Sequence, residues 1–248
     1  MALGGASPAA LPVPEGHRGI TVTLQNVAVV IPALNEEDCL PLVLAAMPKV
    51  GATFVVDNGS TDRTAHVAKT AGASVLVQPE RGYGNACQTG IAEAYRQGFE
   101  VIVILDADHS FEPHEMERLV KPIQSDVADM VLGDRTNTAA PGALPPHQIF
   151  GNRVATELIY RVSGHRYRDM GPFRAIRTSS LISMQMQDPS YGWNVEMQLK
   201  ALKQGFRVAE VDVTCRTRAA GESKISGSLR ASIKCGAKMM LATWRYAR

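Results

Sequence analysis

The sequence predicts an α/β protein wound on both sides of a mostly parallel sheet, and three observations predict it. Short runs of β-branched residues recur from Val27 onward, stretches with helical spacing fill the gaps between them, and acidic and turn residues gather directly after the runs. Seamless apolar runs of this kind suit strands covered on both faces, as parallel strands are.

Taken in order, residues 1–26 are rich in Ala, Pro and Gly without periodicity and read as a disordered N-terminal tail. VAVVIP (27–32), ATFVVD (52–57), SVLV (74–77), VIVILD (101–106) and DMVLGD (129–134) read as buried strands. Residues 36–47, 62–72, 83–97 and 113–124 read as helices, with Asn35 and Thr61 or Asp62 as caps. One domain is expected over 27–227, closed by a basic amphipathic helix over 228–248. In that last segment Leu229, Ile233, Met240 and Trp244 repeat at helical spacing, while Arg230, Lys234 and Lys238 form a second stripe. Six basic residues and no acid follow Glu222. The pattern fits a helix lying in an anionic lipid interface, or a terminal helix packed on its own domain.

Of the 248 residues, 45% are hydrophobic and 20% charged, with mean hydropathy −0.06, which excludes collagen-like, coiled-coil and wholly disordered chains. No window of about 18 uncharged apolar residues could span a bilayer. The opening residues MALGGASPAALPVPEG lack the basic start and apolar stretch of a secretory signal. Cys39, Cys87, Cys215 and Cys235 include no CxxC pair, so a reducing, cytoplasmic setting is expected, peripheral on the membrane face. The net charge of +2 hides a split. Residues 1–130 carry 8 Lys/Arg against 16 Asp/Glu, net −8, and residues 131–248 carry 18 against 8, net +10. An acidic half suits a metal or nucleotide site, and a basic half suits phosphate or membrane contacts. Two differently solvated surfaces would show the same split.

Sheets of this class bind ligands beyond the carboxyl ends of their strands. There the sequence places Pro32-Ala33-Leu34-Asn35-Glu36, Asp57-Asn58-Gly59-Ser60, Asp106-Ala107-Asp108 and Asp134-Arg135. An unpaired carboxylate at an apolar strand end is costly unless it binds something. Asp106 and Asp108, alternating behind VIVIL, suit a hard oxygen-coordinated Mg²⁺ or Mn²⁺ bridging a diphosphate. Asp57 is placed to accept hydrogen bonds from a base or ribose. A dinucleotide fingerprint fails, because the third position after Gly82-Tyr83-Gly84 is Cys87, and no GxxxxGK[ST] occurs.

Pro32–Glu36, VVDNGSTD (55–62), GYGNA (82–86), LDADHS (105–110), GDR (133–135), DMGPFRA (169–175), GWNVEM (192–197) and RxxGESKISG (218–227) together resemble family 2 glycosyltransferases. The resemblance covers 27–227 and lies nearest the dolichyl- and polyprenyl-phosphate mannose or glucose synthases. It implies a GT-A fold, a Rossmann-like doubly wound sheet. It also implies inverting transfer of a hexose from a nucleotide diphosphate sugar, of GDP-mannose or UDP-glucose type, with Mg²⁺ or Mn²⁺ as cofactor. By the resemblance Pro32, Glu36 and Asp57 hold base and ribose, Asp106 contacts ribose or metal, and Asp108 ligates the metal. Arg135, Arg174, Arg218 and Lys224 then line the phosphate and acceptor region, with Arg135 on the donor side. Three positions depart from the family pattern and bear on the donor's base and sugar: Leu34 for a frequent Tyr, Asn58 for a second Asp, and Ser110 where some relatives use Gln.

The acceptor choice turns on the nucleophile. A hydroxyl acceptor needs a general base, for which Glu196 is the candidate, although the same residue reads equally as an exposed turn of an amphipathic helix. A lipid phosphate, with a second pKa near ~6, is already anionic and needs cations. Arg174, Arg216, Arg218 and Lys224 supply them, although any one arginine alone reads as a surface charge. The expected partners are therefore a nucleotide sugar, a polyprenyl-phosphate or other lipid acceptor and a membrane surface, directly or through a membrane protein, and no nucleic acid. Nucleotidyl transfer would require a basic triphosphate loop after the first strand, where PALNEE is acidic.

Overall fold

The computed structural model describes residues 22–220 and 240–246. Seven strands form one sheet: β1 (Val27–Ala33), β2 (Ala52–Asp57), β3 (Ser74–Val77), β4 (Val101–Ile104), β5 (Met130–Asp134), β6 (Arg174–Arg177) and β7 (Val208–Asp212). Their spatial order is β3-β2-β1-β4-β6-β5-β7. Only β6 is reversed; it pairs antiparallel with β4 and with β5. The chain winds outward from β1 to β3, then returns to β4 on the other side of β1. The crevice beyond the carboxyl ends of β1 and β4 is therefore the topological switch point.

Each of the five expected strands forms, although β3 is not buried as expected: it lies at the sheet edge, with Ser74 and Val77 exposed. Beneath their continuous apolar runs a period of two operates, since successive side chains alternate faces. Ala28 and Val30 of β1 face one core with Phe54, Val56, Ile102 and Ile104. Helices α3 (Tyr83–Arg96), α5 (Pro146–Ser163) and α7 (Trp193–Lys203) cover that core. Val27, Val29 and Ile31 face the other core with Val55, Val101 and Val103, under α1 (Leu40–Ala45), α2 (Thr64–Thr70) and α4 (Met116–Gln124). A short helix α6 (Thr178–Ser183) follows β6. Gly90 lets α3 press onto the sheet; a Cβ there would lie 2.4 Å from Val30 Cγ1.

Several expectations need correction. The N-terminal tail ends earlier than residue 26, because Leu24 is buried and its carbonyl accepts the Gly51 amide at 2.9 Å; residues 1–21 lie outside the described residues. Asn35 does not cap α1, which starts after Cys39 with no side-chain cap. β6 and β7 are strands beyond the five that the sequence predicts. Of the closing helix over 228–248, residues 240–246 are helical, and they bury Ala242, Thr243 and Tyr246 while exposing Met240, Leu241 and Trp244. The remainder of that segment lies outside the described residues.

β7 runs parallel to β5 and brings Glu210 beside Arg168, whose backbone N–H donates to Glu210 Oε1 at 2.9 Å. Burial pushes the Glu210 carboxyl up to about 7, against the Arg168 and Asp169 amides that favour its charge. An acid whose folded pKa is raised gives stability that is complete below its unfolded value and is lost as pH rises through the folded one. Between pH 4.5 and 7 the wild type should therefore lose stability relative to Glu210→Gln, by on the order of 2 kcal/mol. Urea unfolding of both proteins across that range checks it; a constant difference would contradict it.

Candidate active site

The loops after β1 and β2 are sewn together at the switch point. The Asn35 amide donates to Ser60 Oγ at 2.9 Å, and Asn35 Oδ1 accepts the Thr61 amide at 2.8 Å. Asn35 takes a left-handed backbone to do so, with φ at 52°. The Glu36 amide donates to Thr64 Oγ1 at 2.8 Å. Pro32, half-buried in β1, stands opposite Val56, and Ala33 opposite Asp57. Asp57 Oδ1 accepts the Ser60 amide at 2.9 Å, which shapes the turn.

Asn58, at a position where the family pattern carries a second Asp, acts as a three-way tie. Its Nδ2 donates to the Gln78 and Glu80 carbonyls at 3.0 and 2.8 Å, and its Oδ1 accepts the Gly82 amide at 2.7 Å. An amide both donates and accepts, whereas an ionised Asp only accepts, so the departure from Asp has a structural use: it locks the end of β2 to the start of α3.

Directly after β4 come Leu105 and then Asp106-Ala107-Asp108. Burial first, and the neighbouring Asp108 charge second, push Asp106 up to about 7, while Arg135 and Arg174 oppose the shift. Asp108 Oδ1 accepts the Ser110 amide at 3.0 Å, across a His109 whose φ is 58°. Arg218 lies over this acidic edge. It forms an ion pair with Glu36, its Nη1 is 3.7 Å from Asp108 Oδ2, and its Nε donates to the Ala220 carbonyl at 2.5 Å. The segment carrying it is pinned by the Arg216 amide, which donates to the Ser110 carbonyl at 2.8 Å. Glu36, Asp106, Asp108, Arg135 and Arg218 thus converge, with Asp57 and Pro32 on the adjoining strand ends.

Among the described residues no cluster of three His, Cys, Asp or Glu side chains could by itself hold a metal. Two neighbouring carboxylates, Asp106 acted on by the charge of Asp108, nevertheless fit a divalent cation, provided that further oxygens come from a ligand such as a diphosphate.

Two expected site residues are elsewhere, and a third cannot be placed. Arg174, expected at the acceptor phosphate, is fully buried in β6; its guanidinium donates to the Gly171 and Met170 carbonyls, each at 2.6 Å. Glu196, expected as a base in the cleft, is also fully buried. Its carboxylate accepts the Gln187 and Asp188 amides at 2.8 and 2.7 Å and pairs with Lys200 at 2.7 Å. The segment it holds packs on the α3 start, where a Cβ at Gly84 would meet the Asp188 carbonyl at 1.9 Å. Lys224 lies outside the described residues. Conversely, Asp169, to which the sequence gives no role of its own, holds Arg135 through a two-pronged contact.

Comparison with known proteins settles the family. The glycosyl transferase family 2 model matches residues 28–184. The chain belongs to this family. It is 38% identical over 211 residues to an uncharacterized glycosyltransferase of Mycobacterium tuberculosis, covering 84% of this chain and 93% of the relative. It is 31% identical to an undecaprenyl-phosphate mannosyltransferase of Micrococcus luteus, covering 82% and 89%, in the branch to which the motifs pointed. Its fold matches the crystal structure of glucosyl-3-phosphoglycerate synthase from Mycobacterium tuberculosis in complex with Mn²⁺, UDP and phosphoglyceric acid. The TM-score is 0.72 at 19% identity, over 89% of this chain and 78% of that one. The fold is GT-A.

Removing a member of a buried ion pair that also caps amides is expected to destabilise by about 3 kcal/mol. Glu196→Ala should therefore lower the urea midpoint strongly; a midpoint near that of wild type would contradict a structural role and return Glu196 to consideration as a base.

Proposed function

We propose that this glycosyltransferase moves a hexose, with inversion, from a nucleotide diphosphate sugar of GDP-mannose or UDP-glucose type to polyprenyl or dolichyl phosphate. The observation that carries the reading is the Asp106–Asp108 pair at the switch point, with Arg135 beside Asp106 and Arg218 beside Asp108. Pro32, Glu36 and Asp57 would receive the base and ribose. Asp108, with Asp106, would hold a Mg²⁺ or Mn²⁺ ion against the diphosphate. When bound, that ion supplies Lewis-acid stabilisation of the negative charge that grows on the leaving group.

The chain's own cations complete the task. Arg135 faces the donor diphosphate, where charge-assisted hydrogen bonds stabilise developing anionic oxygens. Arg218, with Lys224 outside the described residues, is assigned to the acceptor phosphate. Arg218 pairs with Glu36 and lies near Asp108, so its guanidinium stands at the edge where an acceptor phosphate would meet the donor. A phosphate nucleophile needs no base, and burial of Glu196 removes the side chain on which transfer to a hydroxyl would have depended. The name of the Micrococcus luteus relative, with undecaprenyl phosphate as acceptor, supports the same choice.

A lipid acceptor requires access to a membrane, and no helix among the described residues is long and apolar enough to cross one. Peripheral docking on the cytoplasmic face, directly or through a membrane protein, is therefore part of the proposal. It is supported by exposed Met240, Leu241 and Trp244 near the C-terminus and by Phe150, 70% exposed, on α5. Both helical segments contribute to the core around α7.

Hexose transfer from GDP-mannose and from UDP-glucose to polyprenyl phosphate, in anionic vesicles with Mn²⁺, tests the reading. One donor should serve as substrate, and Asp108→Ala should lower turnover at least ~100-fold, on the scale of lost transition-state electrostatics. A folded D108A protein with near wild-type turnover would remove the metal role. Transfer to none of these lipids, together with transfer to a hydroxyl acceptor, would overturn the acceptor assignment.

A further inference from the structure

We propose that Asp169 is a positioning residue that aims Arg135 at the donor diphosphate. The inference rests on the reading of Arg135 given above and extends it to a residue 34 positions away.

The geometry is specific. Asp169 Oδ2 accepts Arg135 Nε at 2.7 Å and the Arg135 backbone amide at 3.0 Å, while Oδ1 accepts Arg135 Nη2 at 2.9 Å. Three bonds fix both the start and the tip of one side chain. The Asp169 side chain is 1% exposed and that of Arg135 17%. Burial alone would raise the Asp169 carboxyl, but the Arg135 bonds outweigh it and hold the group below its ordinary value.

Asp169 is itself anchored from behind. Its amide donates to Glu210 Oε1 at 3.2 Å, and its carbonyl accepts Gln198 Nε2 at 3.4 Å. Two residues on, Gly171 has φ of 41°, and a Cβ there would sit 3.0 Å from both the Gly133 carbonyl and Leu132 Cβ. Glycine at 171 thus lets the Asp169 segment lie flat against the end of β5, next to Arg135.

A buried ion pair is a poor device for stability alone, because desolvation offsets most of the attraction. This pair also sits where orientation matters. The fork consumes the Nε–Nη2 edge of the guanidinium, no partner for Nη1 occurs among the described residues, and Arg135 and Asp106 each feel the other's charge. Without Asp169, Arg135 would be free to collapse onto the Asp106 and Asp108 carboxylates and neutralise the place of the cation. With it, one cation is kept at a set distance from two acids.

Calorimetric titration of Mn²⁺ with UDP, and of Mn²⁺ with GDP, into the whole chain tests this without relying on turnover. For the nucleotide that wild type binds, Asp169→Asn and Arg135→Ala should each weaken binding by about 10-fold or more, the range for removing a supporting partner of a ligand-binding group. The double variant should be no weaker than Arg135→Ala, since Asp169 acts only through Arg135. Arg135→Lys keeps the charge but cannot form the fork. It should lose as much as Asp169→Asn, and it carries the test should Asp169→Asn fail to fold. Losses that add in the double variant overturn the inference, as does wild-type affinity in Asp169→Asn or Arg135→Lys beside a weakened Arg135→Ala. Wild-type affinity in Arg135→Ala overturns the donor role of Arg135 itself, and the inference with it.

Discussion

Two carboxylates follow β4 with a single residue between them, close enough for the charge of Asp108 to act on Asp106, and the rest of the site manages that repulsion. Burial and the charge of Asp108 make full ionisation of Asp106 unfavourable near neutral pH. Three outcomes relieve such a pair: a proton, an internal cation, or a metal brought in with an anionic ligand. The structure displays the second in outline, with Arg218 near Asp108 and paired to Glu36, and Arg135, bound to Asp169, acting on Asp106 through its charge. The proposed metal with its diphosphate would be the third.

The sheet explains why these groups meet at all. β1 and β4 are neighbours in space though far apart in sequence, and the winding direction reverses between them. Their carboxyl ends therefore open side by side without a helix crossing above. Seamless apolar strands buried on both faces make that platform stiff. The polar loops above it are tied by side chains rather than by chance: Asn35 to the Ser60–Thr61 turn, Asn58 to the α3 start, and Glu196 to the segment that packs there.

Much of this is legible in the sequence, for reasons that differ by element. β1, β2, β4 and β5 announce themselves because a doubly covered strand must be apolar throughout, and the acids that follow them stand out against that background; β3, exposed at the sheet edge, shows only as a short β-branched run. β6 does not, since RAIR is four residues long with arginine at each end, and its reversed direction is set by tertiary pairing with β4 and β5. The misplaced residues share one cause. Helical spacing reveals that Glu196 lies on a helix but not which side meets the core, and strand alternation does not tell whether Arg174 points toward a ligand or into the protein. Asp169 stayed without a role because its partner lies 34 positions away, a distance no local pattern spans.

The most direct measurement is anomalous diffraction from crystals soaked with Mn²⁺ and the nucleoside diphosphate that binds. A manganese peak within coordination distance of an Asp108 oxygen, sharing the diphosphate, is the predicted result. A peak bound by other residues, or a nucleotide seated away from the crevice between β1 and β4, would contradict the account.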